Sequence, residues 1–309
     1  MVARESHPGR PDPRPPTWEN ASVDSPRTPE LTVHSANGLN LATWHWPGAD
    51  PPLVFAHATG FHGRVWDHIV RLLPTRRALA IEARGHGRSD KPAPPYRWPA
   101  FGADLAALAE SLDLRDAIGI GHSMGGYAIA LAASLRPGTF RALLLVDPTI
   151  FPPSQYGKSP PDAAFTLRRR NIWKSPAEMT ERFRERPPFA NWKPDILRDY
   201  CDHALLPRGG ALVLACPPEV EASIYERSNA PDADMHGDLV RIAQPAVVLR
   251  ADVPRVPGVF NLGASPTDPE LASLLPRGRD VVLAGHSHFI PMEYPERVVQ
   301  EIKALELLA

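Results

Sequence analysis

Residues 117–135 read AIGIGHSMGGYAIALAASL, and this stretch decides the fold. Its opening, 117–121, is a short apolar run of strand length, and 125–135 has the Ala- and Leu-rich pattern of a helix. Between them Gly121-His122-Ser123-Met124-Gly125 forms a G-x-S-x-G sequence. Placed between a strand and a helix, it predicts a turn so tight that the flanking residues must be small, with the serine lifted above the sheet edge. Gly121, Gly125 and Gly126 meet that steric demand. The plain alternative is a glycine-rich turn without chemistry, so the rest of the chain must supply the partners a nucleophile needs.

Working outward, strands are expected at 30–35 and 39–46, around the hairpin dipeptide Asn37-Gly38, and at 53–56, 77–83 and 141–146. Helical spacing covers 65–73, stopping before Pro74, and 101–112. Strands alternating with helices predict a parallel sheet covered on both faces. Residues 150–240 interrupt the rhythm with prolines at 152, 153, 160 and 161, then helix-like stretches near 162–173, 176–186, 194–205 and 217–228. The alternation resumes with strands at 246–250 and 280–284 and a closing helix at 295–308. Residues 31–149 and 241–309 are thus expected to form one α/β core, and 150–240 a mostly helical lid inserted into it. Residues 1–30 hold seven prolines and few apolar side chains, the composition of a disordered tail.

The charge balance removes whole classes of partner. Lys+Arg is 34 against Asp+Glu 35 in 309 residues, a net charge of -1, so no basic excess exists to hold nucleic acid. No apolar run approaches the roughly 18–20 residues of a membrane span, and the first thirty residues lack the apolar segment of a secretory signal. Cys201 and Cys216 are the only cysteines, which is no disulfide framework. A soluble cytoplasmic protein acting on a small molecule is the expectation, and nothing in the sequence specifies an oligomeric state.

A serine hydroxyl needs a base. Of 12 histidines, His286 and His288 follow the last expected strand, where loops at strand C-termini converge with the Ser123 turn. Position alone does not separate them. Their His-x-His spacing also suits a metal, but no further ligand follows nearby, and no metal is expected. Donors for an oxyanion would come from the loop 57–61, after the strand 53–56: the pair expected is Thr59 N–H and Met124 N–H. His57, Trp173 and Trp192 are candidates for substrate contact, weighed against a packing role for each. An aromatic-bearing lid, with Phe165, Phe183, Phe189 and Tyr200 besides, suggests an apolar or mixed pocket. Arg168-Arg169-Arg170 reads as a solvated helix face, with an acidic substrate as the alternative. The segment from Cys216 to Glu221 is a polar patch without an assigned role.

Four stretches, HATGFHGRVW at 57–66, ARGHGRSDKP at 83–92, GHSMGG at 121–126 and HSHFIPMEYPE at 286–296, resemble the α/β-hydrolase superfamily in its lidded branch, in family order. The resemblance implies an eight-stranded, mostly parallel sheet with the second strand antiparallel. The ending H-F-x-x-x-E-x-P implies His288 rather than His286 as the base, and His86 is similar to part of a structural loop. Ala58 stands where relatives often carry glycine. Relatives commonly place the acid after the strand matching 246–250, but Pro254 occupies that position here and Asp252 lies two residues early. Asp147, after 141–146, where some members carry the acid, is preferred, with Asp252 as the alternative. With Ser123 in the elbow, the resemblance implies acyl transfer without metal, nucleotide or prosthetic group. The function expected is cleavage of a small carboxylic ester or related carbonyl compound. The alternatives are a carbon–carbon bond hydrolase and a non-catalytic ligand-binding protein of the same fold.

Overall fold

The computed structural model describes residues 27–256 and 261–308. The expected tail lies outside the described residues up to position 26. At Arg27 the guanidinium donates to the carbonyls of Pro47 (3.0 Å) and Leu73 (2.7 Å), so the chain is anchored before the first strand begins.

The strands are β1 (Glu30–Ala36), β2 (Leu39–Trp46), β3 (Ala49–Ala56), β4 (Arg76–Ile81), β5 (Ala117–His122), β6 (Phe140–Val146), β7 (Ile172–Trp173), β8 (Leu205–Arg208), β9 (Ala211–Leu214), β10 (Ala246–Ala251) and β11 (Gly278–Leu283). The helices are α1 (Asp67–Arg71), α2 (Pro99–Ser111), α3 (Met124–Leu135), α4 (Ala164–Leu167), α5 (Pro176–Phe183), α6 (Pro194–His203), α7 (Pro218–Glu226), α8 (His236–Leu239), α9 (Ile290–Glu293) and α10 (Pro295–Leu308).

Eight strands form one sheet in the order β1-β2-β4-β3-β5-β6-β10-β11. β2 runs antiparallel to β1 and β4, and the remaining pairings are parallel. Asn37 and Gly38 both take positive φ (49° and 74°), the turn that matches the twist of a two-residue hairpin. Along β3, Leu53 and Phe55 enter the core on one face while Val54 and Ala56 enter the other. β6 repeats the pattern with Leu144 and Val146 against Leu143 and Leu145. Period-two burial on both faces is what a sheet sandwiched between helices requires. From β3 the chain moves outward to β4 and then returns to β5 on the other side. That reversal opens a crevice at the C-terminal ends of β3 and β5.

The segment between β6 and β10 contains α4 to α8 and a small antiparallel sheet, β7-β9-β8. Helices are found at 176–183, 194–203 and 218–226, as the spacing predicts. The expected helix over 162–173 is instead a single turn, α4, followed by β7. Leu214 N–H donates to both the main-chain and side-chain oxygens of Asn171 (3.1 Å each), and this cross-strand tie outweighs helical continuation. The β8–β9 hairpin was not expected, although Gly209-Gly210 (φ 57° and 80°) between two apolar runs is a hairpin signal. Among the described residues no helix is long and apolar enough to cross a membrane.

Candidate active site

Ser123 is forced into φ 57°, ψ −119° at the turn between β5 and α3, a region costly for any residue with a Cβ. The turn closes because a Cβ at Gly121 would strike the Gly125 carbonyl and one at Gly125 would strike Ala56, so neither position tolerates a side chain. Ser123 N–H donates to Val146 C=O (3.0 Å), and Thr149 N–H donates to Ser123 C=O (3.1 Å). These bonds tie the elbow to the end of β6. The next residue on that strand end is Asp147, also at positive φ (43°), with its N–H on Leu249 C=O (2.7 Å). Two residues at positive φ thus stand on neighbouring strand ends, each tied by its N–H to the next strand of the sheet.

His288 lies between them. Its Nε2 is 2.9 Å from Ser123 Oγ and its Nδ1 2.7 Å from Asp147 Oδ2. With Nδ1–H donating to the carboxylate, Nε2 is left as acceptor for the serine hydroxyl. The His288 backbone is clamped on both sides, by its N–H on Gly263 C=O (2.8 Å) and by His122 Nε2–H on its own C=O (2.8 Å). Asp147 is fully buried, and its Oδ1 accepts from Ser265 Oγ (2.6 Å) and Ala251 N–H (3.1 Å). Thr267 Oγ1 lies 3.2 Å away but is closer to Pro148 C=O (2.8 Å), and its single proton serves one of the two. Asp252, the alternative acid, is exposed and among the described residues accepts only from Gly285 N–H (3.1 Å). His286 is stacked on Tyr294 with Nδ1 3.6 Å from Glu293, away from Ser123.

The loop after β3 is held by a histidine and by its own backbone. His86 Nε2 accepts from Gly60 N–H (3.0 Å), and Phe61 N–H donates to Ala58 C=O (3.1 Å). Thr59 N–H has no acceptor among the described residues. Met124 opens α3, where an amide has no intrahelical partner.

The sequence pattern described as "Alpha/beta hydrolase family" matches residues 53–301, most of the chain. The chain belongs to the α/β-hydrolase family. A non-heme chloroperoxidase of Streptomyces lividans is 38% identical over 120 residues, 38% of this chain and 44% of that protein. A 2-(acetamidomethylene)succinate hydrolase of Mesorhizobium japonicum is 32% identical over 101 residues, 32% of this chain and 36% of that protein. The chain therefore spans about two fifths of the length of these curated relatives. Among solved structures, E-2-(acetamidomethylene)succinate hydrolase superposes with a TM-score of 0.71, covering 90% of this chain and 99% of that one at 20% identity. At that identity the likeness speaks for the α/β-hydrolase fold alone.

Within this member of the α/β-hydrolase family, two of the three expected substrate-contact residues are engaged elsewhere. His57 is buried with both ring nitrogens spent, Nδ1–H on Ala58 C=O (2.8 Å) and Nε2 on Ala83 N–H (3.1 Å). It packs the loop. Trp173 donates Nε1–H to Arg170 C=O (3.0 Å) and packs edge-on against Phe183, inside the inserted segment. Trp192 does reach the site's surroundings, 5.5 Å from the ring of Phe61 and 5.6 Å from that of Phe289. Sequence reasoning missed Thr149, whose Oγ1 is 3.0 Å from Ser123 Oγ, and Ser265, which grips Asp147; neither has a local signal. It also missed the fate of Arg169. That side chain is not on a solvated face but is paired with Glu221 beside Gly60.

Burial sets the protonation of the surrounding histidines. It lowers His57 to about 4, against a smaller raising effect of its bond to Ala58. His62, His86 and His122 are pushed well below the usual range by the same cause. All four are neutral at pH 7, the form in which His57 and His86 can accept the loop amides. Among the described residues no group of three His, Cys, Asp or Glu side chains could hold a metal ion.

Proposed function

We propose that this α/β-hydrolase is a serine hydrolase that cleaves a small carboxylic ester or related carbonyl compound through an acyl-enzyme. The observation that carries the reading is the unbroken line Asp147–His288–Ser123, 2.7 Å and 2.9 Å long, at a strained elbow. In the reaction, His288 Nε2 takes the hydroxyl proton as Ser123 Oγ attacks the carbonyl carbon. Asp147 keeps the imidazole in the required tautomer and stabilises its cation. The amides of Thr59 and Met124 receive the charge that develops on the carbonyl oxygen. His288 then protonates the leaving alcohol, and water, activated by the same imidazole, releases the acid and restores Ser123. Residues 150–240 act as the lid, bringing Trp192 over the loop that carries Phe61.

The deciding experiment is labelling with a fluorophosphonate probe beside Ser123→Ala, followed by a chain-length series of chromogenic esters. Labelling of the native protein that disappears in the variant is expected. A folded native protein that neither labels nor cleaves any ester overturns the reading. A carbon–carbon bond hydrolase is the second reading, favoured by the polar Arg169–Glu221 group in the lid. Its mark would be a labelled serine with no ester turnover.

A further inference from the structure

Ser123 Oγ has two hydrogen-bond partners among the described residues, and the line to Asp147 uses one of them. His288 Nε2 lies 2.9 Å away and Thr149 Oγ1 3.0 Å away. Ser123 owns a single proton, and His288, with its Nδ1–H on Asp147, presents Nε2 as an acceptor. The serine proton therefore goes to His288, and the proton in the second contact is that of Thr149. A donor is thus aimed at the oxygen of the nucleophile itself.

The common local use of a threonine hydroxyl is a bond to a carbonyl a few residues back. Thr166 makes one to Ala163 (2.6 Å) and Thr180 one to Pro176 (3.1 Å). Thr149 makes no such bond: among the described residues Ser123 Oγ is the one partner of its hydroxyl. Its backbone is fixed on the same residue, since Thr149 N–H donates to Ser123 C=O (3.1 Å). Pro148 packs on the first turn of α3, where a Cβ at Gly126 would stand 2.7 Å from the Pro148 Cβ. On the far side Ile150 C=O accepts from Asp268 N–H (2.8 Å). Asp147-Pro148-Thr149 thereby serves both ends of the triad from one turn, with a carboxylate on His288 and a hydroxyl on Ser123. Thr149 and Ser123 are both buried, where a hydrogen bond is stronger than in water.

We propose that Thr149 is a further catalytic residue, whose hydroxyl donates to Ser123 Oγ and stabilises the charge on that oxygen while its proton is on His288. The inference rests on the serine-hydrolase reading and adds a group to its machinery. During attack the Ser123 O–H bond breaks, the proton goes to His288 Nε2, and an Oγ electron pair forms the bond to the carbonyl carbon. When the acyl-enzyme breaks down, the C–Oγ electron pair returns to Oγ and the proton comes back from Nε2. In both passages Oγ carries more negative charge than in the resting hydroxyl or in the acyl ester. A hydrogen bond to a charged oxygen is about twice as strong as one between neutral groups, so the Thr149 bond tightens towards each transition state, as a rate-raising contact must. The amides of Thr59 and Met124 serve the other oxygen, that of the carbonyl.

The test measures the second-order rate constant of fluorophosphonate labelling, which reports attack by Ser123 alone, beside kcat/KM for 4-nitrophenyl acetate. Thr149→Val keeps the branched shape and the backbone bonds but removes the hydroxyl. It should slow both rates about tenfold to a hundredfold, the range for losing a bond to a charged group. Thr149→Ala should be as slow, and Thr149→Ser, which restores the hydroxyl, should recover most of the native rate. Urea midpoints measured alongside establish that each variant is folded. Labelling of Thr149→Val within about threefold of native overturns the proposal. So does a loss in Thr149→Ala and Thr149→Ser that spares Thr149→Val, the pattern of a packing role. If Thr149→Val does not fold, the proposal still requires Thr149→Ala to be slow and Thr149→Ser fast, and equal rates for these two overturn it. A native protein that neither labels nor cleaves esters is a different result: it overturns the serine-hydrolase reading, and the role of Thr149 falls with it.

Discussion

Two aspartates stand just beyond neighbouring strand ends of one sheet, and their surroundings have little in common. Asp147 follows β6 and is fully buried, with His288 on one oxygen and Ser265 and Ala251 on the other. Asp252 follows β10, is exposed, and among the described residues accepts a single bond, from Gly285 N–H. Being at the same sheet edge is therefore not enough for a carboxylate to serve a histidine. It must also be shielded from water and have its second oxygen occupied, so that its orientation does not depend on the partner it serves. The loop after β10 takes part in the arrangement through Ser265 and Gly263 instead of through its own aspartate.

The contrast is broken most sharply by Asp147→Asn, which should lower kcat about 10⁴-fold by favouring the wrong imidazole tautomer. A loss under tenfold in steady-state kinetics would remove Asp147 from the role proposed for it. Ser265→Ala leaves the carboxylate in place but removes its shortest supporting bond. Bonds to charged groups are worth about 1.5–3 kcal/mol, so a fall in kcat of roughly tenfold to a hundredfold is expected, with KM little changed.

The buried histidines provide a pH test. His57 has a folded value of about 4, below the ordinary 6.5, so the unfolded chain binds its proton more readily. Its contribution to stability is complete above about pH 6.5 and declines as pH falls towards 4, by about 1.4 kcal/mol per pH unit. Urea midpoints between pH 7.5 and 5 should decline accordingly, and His57→Gln should flatten that slope by about one proton. A slope unchanged in the variant would show that His57 is not the group being protonated. The smallest effect belongs to Asp252→Asn: kcat within about twofold of native and stability within ~0.5 kcal/mol, as for an ordinary surface change. Loss of activity comparable to Asp147→Asn would reverse the comparison.

The same division runs through the whole molecule. The strand–turn–helix at 117–135 is legible because its information is local: an apolar run, small residues that a tight turn demands, and helical spacing after it. The hairpin at Asn37-Gly38 is legible for the same reason. Gly209-Gly210 carries an equally local signal, yet it lies in a region whose helices dominate the pattern, and the hairpin escaped notice. The apparent helix at 162–173 fails because Asn171 pairs with Leu214, more than forty positions along the chain. Arg169 reads as one of three surface arginines until the fold brings Glu221 to it.

The sequence by itself determined the α/β-hydrolase architecture, the elbow with Ser123 at its tip, and the family ending that singles out His288. The elbow follows from short-range sterics and periodic burial, while the full sheet and the choice of His288 over His286 are what the resemblance to the family implies. Tertiary packing sets which carboxylate lies within hydrogen-bond reach of His288, that Thr149 and Ser265 attend the two ends of that line, and that Arg169 pairs with Glu221. Each of these is a bond between residues far apart in the chain. Such bonds depend on where strand ends and inserted helices meet in space, and no local pattern of side chains encodes that meeting.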